Sequence, residues 1–152
     1  PAAERLPRHF AVEFRMEAGR LRLCRDGEAL GDPLTDNAYI EDGYRFHDTL
    51  HASFLALLGW SPVLRTLMHR RRSSHTAIHD VEDTGRAVLI EETIVTLVFN
   101  FVRAEGLRNG VSAIDPSLLR TILELTSFLE VQCYSTAHWE HAILTGLDCR
   151  RR

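Results

Sequence analysis

His47, Asp48 and His51 fall within about one helical turn, in the run EDGYRFHDTLHASFLALLGWSP from Glu41 to Pro62. If the run is helical, positions 44, 47, 48, 51 and 55 share a face. Tyr44, two imidazoles, one carboxylate and Leu55 then project together. Glu41 falls two turns before Asp48 on the same side. Imidazole nitrogens and carboxylate oxygens are metal ligands and proton carriers, and here they interrupt an apolar pattern.

A second stretch answers the first. The run VEDTGRAVLIEETIVTLVFNFVRAE, Val81 to Glu105, reads as the longest and most apolar helix. Its row 84, 88, 91, 95, 98, 102 is Thr84, Val88, Glu91, Val95, Val98, Val102. Glu91 therefore stands mid-row on an apolar face. An isolated carboxylate is too costly to bury there, so it must be paired, protonated or bound to a metal. Glu92 is one position round, beside Thr96. Two chemistries follow. In one, Asp48 or Glu41 meets Glu91 and Glu92 across a helix interface and the acids hold Mg2+ or Mn2+, with Glu82 behind them. Arg45, His47, His51 and Arg86 then line the cleft and receive an anionic substrate. In the other, His47-Asp48-Thr49-Leu50-His51 acts as H-E-x-x-H with a shorter acid. Its two histidines hold Zn2+, with His75, His79 or Glu91 as third ligand. A purely structural arrangement competes with both: Glu91 paired to Arg45, Arg86 or a histidine, and the histidines bonded within the core.

The elements that must position these groups are legible from periodicity. Phe10, Val12, Phe14 and Met16 alternate with Ala11, Glu13, Arg15 and Glu17, which predicts a strand with one buried face. The turn signals Ala18-Gly19 and Asp26-Gly27 bracket Leu21 and Leu23, giving a β-hairpin with a short third strand near 28–30. Gly31-Asp32-Pro33 reads as a break. Helical spacing then runs from about 38 to 58, capped by Asp36 or Asn37 and stopped by Gly59. Ser61-Pro62 opens the next helix. Arg70-Arg71-Arg72-Ser73-Ser74 reads as a solvated connector, with a phosphate grip as the alternative. The long helix spans about 80–105, ended by Gly106 and Asn109-Gly110. Asp115-Pro116 opens another, through Leu118, Leu119, Ile122, Leu125, Phe128 and Leu129. Ser135 or Thr136 caps the last, which Gly146 stops. The expected fold is mainly α: a four- to five-helix bundle with a small N-terminal β-hairpin. Residues 1–35 form the hairpin extension and 36–152 the helical part of a single compact domain.

Composition narrows the classes. The 152 residues suffice for one domain with a real core, and a net charge of −3 gives no pull toward nucleic acid or membrane. All 18 basic residues are Arg. That excludes a P-loop lysine, a kinase lysine and Schiff-base chemistry. Three cysteines without a C-x-x-C argue against a disulfide framework and a thiolate zinc site, and point to a reducing, cytoplasmic setting. The start at Pro1 points to one domain of a longer protein, with a fused or partner domain.

Gly43-Tyr44-Arg45-Phe46-His47-Asp48, Leu58-Gly59-Trp60-Ser61-Pro62, Val81-Glu82-Asp83 and Ile90-Glu91-Glu92 resemble the MazG-like group. This is the all-α nucleoside triphosphate pyrophosphohydrolase superfamily, and in particular the domain found C-terminal in MazG-like proteins. The resemblance covers about 37–147. It implies a helical domain that usually dimerises, here through part of the 94–102 face or the last helix. It also implies cleavage of an NTP or dNTP to the monophosphate and pyrophosphate, with Mg2+ held by acids on facing helices. The usual pattern is E-x-x-E on one helix and E-x-x-D on the next. Here Arg45 stands three residues before Asp48, and Val88 and Leu89 stand three before Glu91 and Glu92. The resemblance therefore carries over Asp48, Glu91 and Glu92 as catalytic metal ligands, with Glu41 and Glu82 behind them; the histidines have no counterpart in it. A helical interaction or dimerisation domain without catalysis is the alternative.

Overall fold

The computed structural model describes residues 1–105 and 110–149. The chain is mainly helical with a small antiparallel sheet at its N-terminal end. Strands β1 (Val12–Glu17), β2 (Arg20–Arg25) and β3 (Glu28–Leu34) pair in the order β1-β2-β3. Both connections have two central residues at positive φ, Ala18-Gly19 and Asp26-Gly27. This turn geometry matches the right-handed twist of the strands it joins. The expected break at Gly31-Asp32-Pro33 is instead part of β3. Leu30 pairs with Leu23 and Leu34 with Leu21, so β3 carries extra residues opposite β2. Gly31, at φ 68°, makes the bulge, and Pro33 is tolerated because β3 is an edge strand. The hairpin is thus a three-stranded meander. Leu23 packs with Leu55, Leu64 and Met68, so the sheet lies on the helices.

The helices begin later than their periodicity suggests. Residues 38–43 form a loop, followed by a 3-10 turn, Tyr44–Phe46, and only then α1, Asp48–Leu58. Asp36 explains the delay. Its carboxylate accepts from the backbone N–H of Asp42, Gly43 and Arg45 and from the Arg45 guanidinium at 2.8 Å. Donors that a helix would have used are satisfied by one side chain. Gly59, at φ 64°, ends α1. Ser61 caps α2 (Pro62–Leu67) by accepting from Leu64 N–H, with Pro62 at the first position. A short α3 (Thr76–Ile78) and a π-helical turn (His79–Asp83) precede α4, Gly85–Glu105. The long helix was expected from about residue 80. There the buried Asp83 takes the Arg72 backbone N–H and guanidinium, each at 2.6 Å, and Thr84 is extended. Gly106 and Asn109, expected to stop α4, lie outside the described residues.

Asp115 caps α5 (Pro116–Leu125), which ends before Phe128 and Leu129. The last helix, α6, spans Thr136–Cys149 and runs through Gly146 rather than stopping there. Gly146 serves helix crossing. A Cβ there would meet Ser53 Oγ at 2.7 Å and Leu50 Cδ2 and Thr49 O at 3.0 Å, so α1 and α6 approach closely. The core joins Leu50, Phe54 and Leu58 of α1 to Ile94, Val95, Val98 and Val102 of α4 and to Trp139, Ile143 and Leu147 of α6. Trp139 stands edge-on to Phe54 and Trp60. Of the 94–102 face and the last helix, where a dimer contact is expected in part, Ile94, Val95, Val98, Val102, Trp139 and Ile143 are buried within the chain, and Leu97, Phe101 and Leu144 are half-buried.

Two predictions follow from this packing. Alanine is favoured over glycine in a helix by about 1 kcal/mol. Even so, Gly146→Ala is expected to lower stability by about 1–3 kcal/mol, because the new methyl overpacks the crossing. Urea unfolding measures this, and a more stable variant would show that the crossing has room. The second concerns acid. Burial pushes the Asp36 carboxyl up, but Arg45 and the three backbone donors outweigh it and hold it far below the usual carboxylate range. A depressed folded pKa gives stability that is present above the unfolded pKa of about 3.9 and lost as pH falls toward the folded value. Asp36→Asn should melt several degrees lower at pH 7, and the gap to wild type should narrow below about pH 4. A gap independent of pH would contradict this.

Candidate functional site

Glu91, on α4, is fully buried and satisfied by three donors from other elements. His51 Nδ1 of α1 lies 2.7 Å from Oε1, Ser61 Oγ donates to Oε1 at 2.7 Å, and Val63 N–H donates to Oε2 at 2.8 Å. Ser61 thus accepts as the α2 cap and donates to Glu91. One carboxylate ties α1, the start of α2 and α4 together. Its partner across the interface is His51, in line with the histidine pairing among the sequence alternatives, and not Asp48, Arg45 or Arg86. Ser61 and the Val63 N–H had no sequence signal for this contact. Ser61-Pro62 reads only as a helix start.

The contact fixes the His51 ring. A carboxylate accepts, so Nδ1 donates to Glu91 and Nε2 turns the other way. That nitrogen is buried and has no hydrogen-bond partner. It lies 4.0 Å from Asp48 Oδ1 and 3.6 Å from Glu92 Oε1, both beyond hydrogen-bond reach. His47 is held in the same sense. Its Nδ1 is 2.8 Å from the Tyr44 carbonyl oxygen, so it donates there, and its Nε2 is 3.4 Å from Asp48 Oδ1. The Tyr44 ring stacks on His47, with centroids 4.4 Å apart, and His47 meets His51 edge-on. One donor atom each from His47, Asp48 and His51 lies within 4.8 Å of the others. Tyr44 also reaches α4, its hydroxyl 3.3 Å from Thr96 Oγ1. The Asp48 and His47 side chains are 9% and 10% exposed and Glu92 is 40% exposed, so the cluster opens to solvent on the Glu92 side.

Electrostatics favour a cation here. Burial pushes the His51 imidazolium down, but the charges of Glu91 and Glu92 outweigh it and raise its pKa well above the usual histidine range. The His51 contact in turn lowers Glu92, against the opposing effect of burial.

The remaining candidates have partners of their own. Glu41 is exposed and pairs with Arg45 at 2.8 Å, and it lies in the loop, not two helical turns before Asp48. Arg45 clamps Asp36 and the Gly19 carbonyl. Glu82 accepts from the Glu130 N–H at 3.0 Å. The Arg86 guanidinium lies over the Phe128 ring, 4.3 Å from its centroid. His79 pairs with Asp80. In the basic loop, Arg72 binds Asp83 and Glu130, Arg70 binds the Ala3 carbonyl, and Ser73 and Ser74 bind Glu4. A mostly apolar cleft of about 670 Å³ lies between Phe10 and Phe14 and another face of α1, at Ala52 and Leu57. It contains none of the His47, Asp48, His51 or Glu92 groups.

The donors available to a metal are therefore two imidazole nitrogens and the carboxylates of Asp48 and Glu92. Such a set can hold a divalent ion. No curated protein and no solved structure matches this chain. The MazG C-terminal domain family does, over residues 1–152, so its match takes in the sheet as well as the helices. By that match, and with its polar cluster set between α1 and α4, the chain belongs to the MazG C-terminal domain family.

Proposed function

We propose that this domain is a metal-dependent nucleotide pyrophosphohydrolase, cleaving an NTP or dNTP to the monophosphate and pyrophosphate. One observation carries the reading beyond family membership: acids from two facing helices flank the same point. Asp48 of α1 and Glu92 of α4 lie 4.0 and 3.6 Å from His51 Nε2. Compared with the usual paired acids of the superfamily, each helix keeps one acid here and an imidazole stands beside it. A divalent ion such as Mg2+ or Mn2+ would supply neutralisation of phosphate charge and activation of water. Asp48 and Glu92 would hold it. Glu92, the more exposed, stands at the mouth, where phosphates would arrive. Glu91 acts through His51, because its own oxygens are already occupied. Arg45 and Arg86, which the sequence suggests for receiving substrate, fit that role less well, since both guanidinium groups have intramolecular partners.

A second reading is an interaction domain without catalysis. The low exposure of His47 and Asp48 favours it, because it leaves a narrow approach for a triphosphate. Pyrophosphate release from a panel of NTPs and dNTPs with Mg2+ or Mn2+ decides between the two. The hydrolase reading expects release by wild type, lowered by at least about 100-fold in both Asp48→Asn and Glu92→Gln. No release under any metal would favour the interaction domain. Release indifferent to both substitutions would place the chemistry elsewhere.

A further inference from the structure

We infer that His47 and His51 bind, through Nε2 and together with Asp48, a nitrogen-preferring divalent transition metal of the zinc class, and that Glu91 is the positioning residue for His51. This rests on the same pocket as the reading above but assigns it a different ion class from Mg2+ or Mn2+, and it does not depend on hydrolysis.

Three observations carry it. First, both rings are committed at Nδ1 to groups that only accept: the Glu91 carboxylate at 2.7 Å and the Tyr44 carbonyl at 2.8 Å. Each neutral ring then presents a lone pair at Nε2. The two Nε2 atoms lie 3.4 Å (His47) and 4.0 Å (His51) from one Asp48 oxygen. Ligands around a tetrahedral ion with bonds of about 2.0–2.1 Å stand roughly 3.3 Å apart, so a small inward movement closes the set. Second, His51 Nε2 is buried without a hydrogen-bond partner. Buried polar atoms are almost always hydrogen-bonded, and this one stands only at ion-pair distance from Glu92 and Asp48, where a divalent ion would satisfy all three groups. Third, a buried carboxylate behind a histidine fixes the ring's tautomer and raises its basicity. Glu91 is itself fixed by Ser61 and the Val63 N–H, so it cannot swing away.

The donor types then select the ion. Mg2+ and Ca2+ take oxygen ligands, whereas imidazole suits Zn2+, Co2+ and Fe2+. The side facing solvent is occupied by Glu92, which can complete the set or leave a position for water.

Co2+ titration of the metal-free 152-residue chain tests the proposal, because Co2+ reports its ligands by visible absorption. Wild type should bind one equivalent, be displaced by Zn2+, and resist a thousandfold excess of Mg2+. Proton NMR of the Co2+ form should show two paramagnetically shifted exchangeable ring N–H signals, those of His47 and His51 Nδ1. This readout needs no variant and so survives any misfolding. His47→Ala, at the less buried ring, should weaken Co2+ by at least about 100-fold, with circular dichroism confirming the fold. Glu91→Gln should weaken it by about 10–100-fold while the visible band remains. Absence of Co2+ and Zn2+ binding by wild type, or equal affinity in His47→Ala, overturns the inference. Metal binding lost in His47→Ala without pyrophosphate release from any nucleotide upholds it and sinks the hydrolase reading. Mg2+-driven release that persists in His47→Ala, with no Co2+ bound, does the reverse.

Discussion

The buried carboxylate of Glu91 is the constraint on which the site depends. A charge-bearing group at the centre of an apolar helix face destabilises the fold unless every lone pair it needs is met. Here three donors meet it, each from a different place: the α1 ring of His51, the hydroxyl that caps α2, and a backbone N–H in the first turn of α2. The turn Gly59-Trp60-Ser61-Pro62 is therefore held to α4 as well as to α1. The His51 ring is locked with Nε2 outward, and the geometry of the metal-competent cluster follows from that lock.

Two other buried acids shape the chain in the same way. Asp36 gathers the 42–45 backbone and Arg45, and Asp83 gathers Arg72. Asp36 satisfies the donors of the loop that stands in place of helix, and Asp83 ties the end of the π-helical turn to the Arg72 segment. As a result α1 begins at Asp48, directly at the site, and His47 and Tyr44 lie in the preceding turn where the Tyr44 carbonyl can anchor the His47 ring. That carbonyl accepts both the His47 backbone N–H, which closes the 3-10 turn at 2.9 Å, and the His47 ring N–H.

The same physics explains what the sequence disclosed. Alternation in β2, the Ser61-Pro62 and Asp115-Pro116 caps, and Glu91 amid valines are local signals, and each of these features is present; the β1 strand forms, but its expected buried face is only half-buried at Val12 and Phe14 and exposed at Met16. Helix starts were misjudged where a long-range acid–arginine pair decides, because periodicity carries no record of Arg45 or Arg72 as partners. Gly146 reads as a stop in the sequence because a glycine at a helix end and one at a close crossing look alike in one dimension. The histidines and Asp48 were recognisable as a cluster. That His51 faces Glu91, and that Arg45, Arg86, Glu41 and Glu82 turn to other partners, depends on side-chain placement that spacing alone does not specify.

The family assignment rests on the whole chain, whereas the chemistry rests on one cluster between α1 and α4. The most direct measurement is anomalous diffraction from crystals grown with Zn2+, recorded on both sides of its absorption edge. The account predicts a single strong peak about 2.0–2.2 Å from His47 Nε2, His51 Nε2 and an Asp48 oxygen, with Glu91 still bonded to His51 Nδ1. A peak ligated by Glu91 itself, or no peak in this cluster with the His51 ring unchanged, would contradict it.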